Sequence, residues 1–351
     1  MEMQNNHLVV MAGGVGNRLW PMSTPDYPKQ FIDVLGCGRT LIQLTVDRFK
    51  GLCPSENIWV VTSERYADEV KRQLPFIKND HILLEPCRRN TAPCIAYVSW
   101  KIMSIDPNAN IVVTPSDHIV IDVNEFQRVV QSSLLFTQHS NTIVTLGMTP
   151  NRPETGYGYI QADFSNHFGE GYRIYKVESF KEKPNLATAE EYIKNETFFW
   201  NAGIFVWNVK TVINAIRVYQ PDIANIFENL LPFYFTDKEQ DMINAQFPLC
   251  ENISIDYAIM EKADNVFVYP ASFGWSDLGT WGSLHSNMEK DSHNNVLIGE
   301  NIKIVNSRNC IIHTSEERKV VIQGLDGYIV AEKDNMLLIC QLTEEQRIKE
   351  F

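Results

Sequence analysis

At 351 residues, 44% of them hydrophobic and 21% charged, the chain has ample core material for one large domain plus a smaller one, and its composition is that of a folded protein rather than a disordered one. A formal net charge of -12 argues against nucleic acid or an anionic membrane surface as partner, because both need clustered cations; any phosphate site has to be local. Seven widely spaced cysteines without a CxxC pair argue against a disulfide framework or a zinc site, and the start carries no basic region followed by an apolar stretch, so we expect a soluble protein with reduced thiols that stays in the cytoplasm.

The first 150 residues alternate short apolar runs with helical patterns. Leu8 to Met11, Ile58 to Val61, Ile82 to Leu84, Ile111 to Val113 and Ile143 to Leu146 read as buried strands. Between them Ile42, Val46 and Phe49 follow i, i+4, i+7 spacing, and Tyr66, Val70 and Leu74 recur every four residues, as one buried helix face requires. Strands apolar on both faces predict a mostly parallel, Rossmann-like α/β sheet flanked by helices, with ligands at the carboxyl ends of its strands. From about 150 to 285, short strands (173–180 and 202–207) mix with helices near 211–217 and 254–263; we read them as the rest of one domain spanning 1–288. Residues 289–351 are expected to form a small β-rich domain. Its β-like pieces at 302–305, 310–312, 319–322, 328–330 and 336–340 recur at spacings near ten residues, which suits the coils of a short β-solenoid.

The first strand runs straight into Ala12-Gly13-Gly14-Val15-Gly16-Asn17-Arg18. Three glycines let backbone N–H groups press against phosphates, and Arg18 and then Lys29 bring two cations into the same connection. The spacing fits neither common phosphate loop: Leu19 stands where a dinucleotide fingerprint needs glycine, and Arg18 where a P-loop does. Taken alone, the segment reads equally well as a glycine turn with two solvated cations. Thr40 is placed to cap the helix that follows.

Met11 to Phe31 as a whole resembles the signature of the sugar-nucleotide pyrophosphorylases, a nucleotidyltransferase family, and within it the guanylyltransferases that act on mannose 1-phosphate. Six further segments extend the resemblance in order: Glu85 to Pro93, Thr114 to His118, Thr155 to Ile160, Phe180 to Pro184, Trp200 to Gly203 and Gly274 to Gly279. The resemblance implies a nucleotide-diphospho-sugar transferase fold, whose sheet is mixed and mostly parallel, and an enzyme that joins GTP to mannose 1-phosphate with loss of pyrophosphate. It implies Mg²⁺ on Asp117 and Asp277, oxygen donors of the kind that ion takes. Arg18 and Lys29 would stabilise the leaving pyrophosphate, and Lys183 would draw in the sugar phosphate. Ala12, Gly13, Gly14, Gly16, Asn90, Thr91 and Ser116 would line the nucleotide, with Glu85 facing the base. A carboxylate accepts from two adjacent donors, which guanine offers and uracil does not. Gly156, Glu182 and Asn201 would line the sugar, Asn201 offering both donor and acceptor.

Read singly, most of these residues have plainer fates: a loop Asp is usually a turn or cap residue, charges beside a strand are usually solvated, and Asn90 and Thr91 suit the cap of a helix beginning near Pro93. Three rival readings stand beside the first. One is a silent sugar-nucleotide sensor, which loss of the cationic or metal residues would mark; another is a pyrophosphorylase for a different hexose with UTP or dTTP; the last is a nicotinamide dehydrogenase, which the glycine spacing disfavours. Family members with short β-rich tails often dimerise through them, so a homodimer is expected, and with the sequence ending at Phe351 the isomerase domain that some members add is not expected.

Overall fold

In the computed structural model, which describes residues 4–14, 16, 18–167, 173–314 and 318–350, the chain forms two compact units. The first comprises Met1–Gly13, Val46–Pro115 and Val120–Trp275; the second comprises Gly14–Thr45, Ser116–Ile119 and Ser276–Phe351.

The elements of the N-terminal part are β1 (Asn6–Met11), α1 (Leu41–Asp47), β2 (Ile58–Ser63), α2 (Ala67–Gln73), β3 (Ile82–Glu85), α3 (Thr91–Ile105) and β4 (Asn110–Pro115). After them come β5 (Ile119–Val120), α4 (Val123–Thr137), β6 (Ile143–Met148), β7 (Gly158–His167), β8 (Tyr175–Glu182), α5 (Leu186–Tyr192), β9 (Phe198–Asn208), α6 (Val209–Tyr219), α7 (Pro221–Leu230), α8 (Glu239–Gln246), a π turn at Asp256–Met260, and β10 (Val266–Ala271). Nine of these strands make the first unit's sheet, ordered β3-β2-β1-β4-β9-β6-β10-β8-β7. The predicted parallel ladder holds across β3-β2-β1-β4, with Leu8 opposite Ile58 on one side and Val112 on the other. Beyond β4 the sheet is mixed. Strand β9 runs antiparallel between β4 and β6, β6 and β10 are parallel, and β8 and β7 pair antiparallel. Of these strands, β8 and β9 match the runs read at 173–180 and 202–207, while β7 escapes an apolar-run search because it is half-polar, reading Gly-Tyr-Ile-Gln-Ala-Asp-Phe-Ser-Asn-His.

Helices cover this sheet by burying one face. In α3 the residues from Ala92 to Ile102 are all buried. Tyr97 stacks on Phe227 of α7 at 6.1 Å between ring centroids. Asp122 caps α4 by accepting from the Glu125 N–H (2.9 Å), which satisfies one of the helix's free donors.

The second unit gathers β11 (Trp275–Ser276) from Ser276 onward, α9 (Trp281–Asn287), β12 (Val296–Ile298), β13 (Ile302–Val305), β14 (Ile311–His313), β15 (Val320–Gln323), β16 (Tyr328–Lys333) and β17 (Met336–Gln341). Strands β12, β14 and β16 stack in parallel, Val296 beside Ile311 beside Ile329, while β13 pairs with β15; β17 folds back antiparallel on β16. Two parallel ladders built from successive short coils are the rungs of a solenoid. The domain boundary expected at 288/289 lies inside this unit, which also takes in residues 14–45. The reason is packing: Leu19, Ile32, Val34 and Leu41 share one buried cluster with Trp281, Val296, Ile311 and Leu338. No helix among the described residues is long and apolar enough to cross a membrane, and the seven cysteines are free thiols, Cys37 alone exposed.

Candidate active site

In the second unit the site is organised around one buried lysine. Lys29 opens a short 3-10 turn (Lys29–Phe31) whose three residues are all buried. Its Nζ lies 3.1 Å from Asp117 Oδ2 and donates to the main-chain carbonyls of Asp277 and, at 3.3 Å, Leu278. One ammonium thus ties the Asp117 carboxylate to the turn that carries Asp277. Burial alone would push the Asp117 carboxyl up, but Lys29 and His118, whose Nε2 stands 3.7 Å from Oδ1, hold it below the usual carboxylate range. Asp277 Oδ1 accepts from the Gly279 N–H (3.0 Å), and Leu278 between them adopts a left-handed φ of 47° with its side chain fully buried. A bulky residue held there is backbone strain, maintained by the contacts around it.

The glycine loop closes on the same lysine. Gln30 Nε2 donates to the Gly14 carbonyl (2.8 Å), a Cβ on Gly14 would lie 4.0 Å from Asp117 Oδ2, and a Cβ on Gly16 would press on the Lys29 methylenes at 3.3 Å. Val15 and Asn17 of this loop lie outside the described residues. Arg18 is exposed and makes no ion pair among the described residues, so its guanidinium can meet an incoming anion. Ser116 is buried, its carbonyl accepting from the Thr45 hydroxyl (3.3 Å).

Among the first unit's candidate residues are two carboxylate acceptors, Glu85 and Glu182. Glu85 ends β3 and is only 8% exposed; burial pushes its carboxyl up to about 7, against the opposing pull of the Cys94 thiol and Arg88. Its Oε1 has no hydrogen-bond partner among the described residues, and a Cβ on Gly13 would rest 3.4 Å from Oε2. A buried, unsatisfied acceptor beside a residue without a side chain is poised for donors that come from outside the protein. The Ala12 N–H donates to Val61 O (2.8 Å), continuing the strand. Asn90, at φ 67°, caps α3 by accepting from the Thr91 N–H (2.9 Å), and the Thr91 hydroxyl accepts from the Ile255 N–H (2.8 Å). Both side chains therefore have structural tasks.

Elsewhere in the same unit, Gly158 and Glu182 face each other across β7 and β8. A Cβ at Gly158 would collide with Glu182 Oε2, so the missing side chain makes room for that carboxylate. Lys183 pairs with Glu182 Oε1 at 3.0 Å, is largely exposed, and holds a left-handed φ of 47°. Gly156 is exposed and donates its N–H to Glu154 Oε1 (3.1 Å). Asn201 is more committed than expected. Its Oδ1 accepts from the Thr145 hydroxyl (3.1 Å) and the Gly203 N–H (3.0 Å), and its Nδ2 donates to Asp256 Oδ1 (3.0 Å). The acceptor is used up inside the protein, and one N–H remains.

The nucleotidyl transferase family matches residues 7–294. The chain belongs to that family. It is 34% identical to an Escherichia coli mannose-1-phosphate guanylyltransferase over 97% of this chain and 74% of the relative, and 34% identical to the alginate biosynthesis protein AlgA of Pseudomonas fluorescens over 98% and 70%. It is similar over 99% of its length, with a TM-score of 0.87 and 30% identity, to 98% of a solved Thermus thermophilus protein described as a mannose-1-phosphate geranyltransferase.

Two features of this nucleotidyl transferase were missed in its sequence. Asp256 was read only as part of a helix near 254–263, although a carboxylate inside Ser254-Ile-Asp-Tyr-Ala-Ile-Met is out of place on an apolar face. Arg152 lies over the Trp200 ring at 5.1 Å, and Tyr157 packs edge-on against Trp200 and Trp275. No spacing rule brings Arg152 to Trp200; the pairing of β7 with β9 does.

Proposed function

We propose that this nucleotidyl transferase makes GDP-mannose and pyrophosphate from GTP and mannose 1-phosphate. The observation that carries the reading is the Lys29 ammonium, which joins the Asp117 carboxylate to the Asp277 turn beside a glycine loop. An oxygen of the sugar 1-phosphate bonds to the α-phosphorus of GTP while the bond from that phosphorus to the bridging oxygen breaks, and pyrophosphate leaves with that oxygen. The incoming phosphate is already an anion, so no protein nucleophile is required and positioning with charge neutralisation is the main task.

Asp117 and Asp277 fit Mg²⁺, since they are oxygen donors on segments already tied together, with the rest of the ion's shell left to water and phosphate. Bound there, the ion would supply neutralisation of phosphate charge. Arg18, which makes no ion pair among the described residues, meets the triphosphate with its planar fork, Lys183 attracts the sugar phosphate, and Glu85 accepts from the paired donors of guanine. Lys29 acts first on its own neighbours, holding the two acidic segments in place; that is a positioning task beside the charge it offers to phosphate. All five residues whose loss would mark a silent sensor, Arg18, Lys29, Asp117, Lys183 and Asp277, are present. The test is incubation with Mg²⁺, four nucleoside triphosphates and several hexose 1-phosphates, with products identified by mass. GDP-mannose as the main product is expected. A UDP- or dTDP-sugar as the main product would move the assignment to another pyrophosphorylase, and no product would favour the sensor.

We also place the enzyme in the cytoplasm, where its free thiols stay reduced, and propose that it works as a homodimer. Support for pairing comes from the second unit, where Val321, Leu337 and Ile339, each more than half exposed, border a cavity of about 350 Å³ with Leu325 and Val330. Changing Leu337 and Ile339 together to glutamate is expected to give a monomer by light scattering; an unchanged mass would exclude this face.

A further inference from the structure

Asp256 has no assigned task, yet its surroundings are unusual. It opens the π turn Asp256–Met260, with the Glu261 N–H bonded back to its carbonyl at 3.0 Å, and such turns often mark functional places in a chain. Among the described residues, the only side chain that hydrogen-bonds its carboxyl is Asn201, through Nδ2 at 3.0 Å. Asn201 is itself locked by Thr145 and Gly203, so its amide cannot flip, and Asp256 is held in one orientation by a clamp with no remaining freedom.

The second carboxylate of the neighbourhood is Glu182. Its Oε2 fills the space left by Gly158, whose absent Cβ would also lie 3.4 Å from Asn201 Cβ, so Glu182 and Asn201 flank one glycine. Burial, and then the Glu182 charge, push the Asp256 carboxyl up to about 6, partly offset by Asn201 and Lys183. Two half-buried carboxylates that repel each other cost stability, and such a pair persists where incoming hydrogen-bond donors need two acceptors. Neighbouring hydroxyls of a pyranose ring are that kind of donor.

We propose that Asp256 is a sugar-specificity residue, which together with Glu182 forms a two-carboxylate acceptor for neighbouring hydroxyls of the hexose, with Asn201 acting chiefly as the clamp that aims it. The proposal rests on the reading that Glu182 and Asn201 face the hexose of a sugar 1-phosphate. It reassigns Asn201 from a two-way partner of the sugar to a positioning residue with one N–H to spare.

The experiment compares wild type with Asp256→Asn at saturating GTP and Mg²⁺, using mannose 1-phosphate and its 2-, 3-, 4- and 6-deoxy analogues. Asp256→Asn is expected to lower kcat/KM for mannose 1-phosphate about 10- to 100-fold, mainly through KM, leaving the KM for GTP in place. The decisive readout is the pattern. Wild type should show a marked penalty for removing one particular hydroxyl; in Asp256→Asn that penalty should vanish while the penalties at other positions persist. A residue that only supports the fold would lower all five substrates alike and leave every penalty intact, and that result overturns the proposal, as does wild-type kcat/KM in the variant. Should Asp256→Asn fail to fold, Asp256→Ser is put through the same panel. In wild type alone, the absence of any deoxy penalty above about threefold overturns the proposal. If wild type converts no hexose 1-phosphate at all, the parent reading falls and this one with it.

Discussion

Asp117 and Asp256 are both acids withdrawn from bulk water, yet their surroundings treat them oppositely. Asp117, in the second unit, meets Lys29 at 3.1 Å and His118 at 3.7 Å, and these neighbours outweigh the effect of burial and hold its carboxyl below the ordinary range. Asp256, in the first unit, meets Asn201 and the repelling charge of Glu182, and its carboxyl rises to about 6; Glu85 in the same unit rises to about 7. The difference teaches what each unit is prepared to receive. An acid already balanced by a cation suits a divalent ion and phosphates, whose charges must be shared out. An acid left with spare acceptors suits neutral groups that donate hydrogen bonds, such as sugar hydroxyls and the edge of a base.

The comparison breaks most sharply at Lys29. Lys29→Ala removes the cation, uncouples Asp117 from the Asp277 turn, and is expected to cut nucleotide-sugar synthesis by about 10²–10³ while circular dichroism stays native. Near-wild-type pyrophosphate release in that variant would end the claim that the second unit is organised around this lysine. A smaller effect tests the opposite environment of Glu85. Because its folded carboxyl sits at about 7, above its ordinary 4.5, the stability linked to its proton is fully present below 4.5 and is lost as pH rises through 7. Glu85→Gln should therefore melt higher than wild type at pH 8, by on the order of 2 kcal/mol, and alike at pH 4. Equal melting at both pH values would show that the acid is not buried at a cost.

The same substitution should shrink the kcat/KM preference for GTP over the other nucleotides by about tenfold, sharpening the view that spare acceptors read the base. An unchanged ratio would remove Glu85 from base recognition. The smallest effect belongs to Lys183, whose φ of 47° suits glycine better than lysine. Lys183→Gly is expected to stabilise the fold by up to about 1 kcal/mol while raising the KM for the sugar phosphate. A stabler variant with unchanged KM would mean that the strained lysine does not meet substrate.

Much of this could be read from residues alone wherever the physics is local. Apolar runs buried on both faces identify β1, β2, β3 and β4 because each strand carries its own burial signal, and the glycine loop marks a candidate phosphate site by lacking side chains. The half-polar strand β7 was hidden, since a strand with one wet face offers only a weak alternation, whereas β8 was read two residues early, at 173–180. The boundary at 288/289 moved because Leu19, Ile32 and Leu41 find their apolar partners in segments far along the chain, such as Trp281, Val296 and Leu338.

For the site, residue type determined the candidates and three-dimensional neighbours decided their tasks. A lysine, a glutamate and an asparagine in the right motifs could be named from the sequence as a phosphate cation, a base reader and a sugar contact. Only the folded chain could show that Lys29 is already engaged by Asp117 and two carbonyls, that Glu85 keeps an unsatisfied oxygen, and that Asn201 spends its amide on Thr145, Gly203 and Asp256. Charge and hydrogen-bonding capacity belong to a side chain wherever it stands. How much of that capacity is left for a substrate depends on partners brought from distant segments, which no spacing in the sequence records.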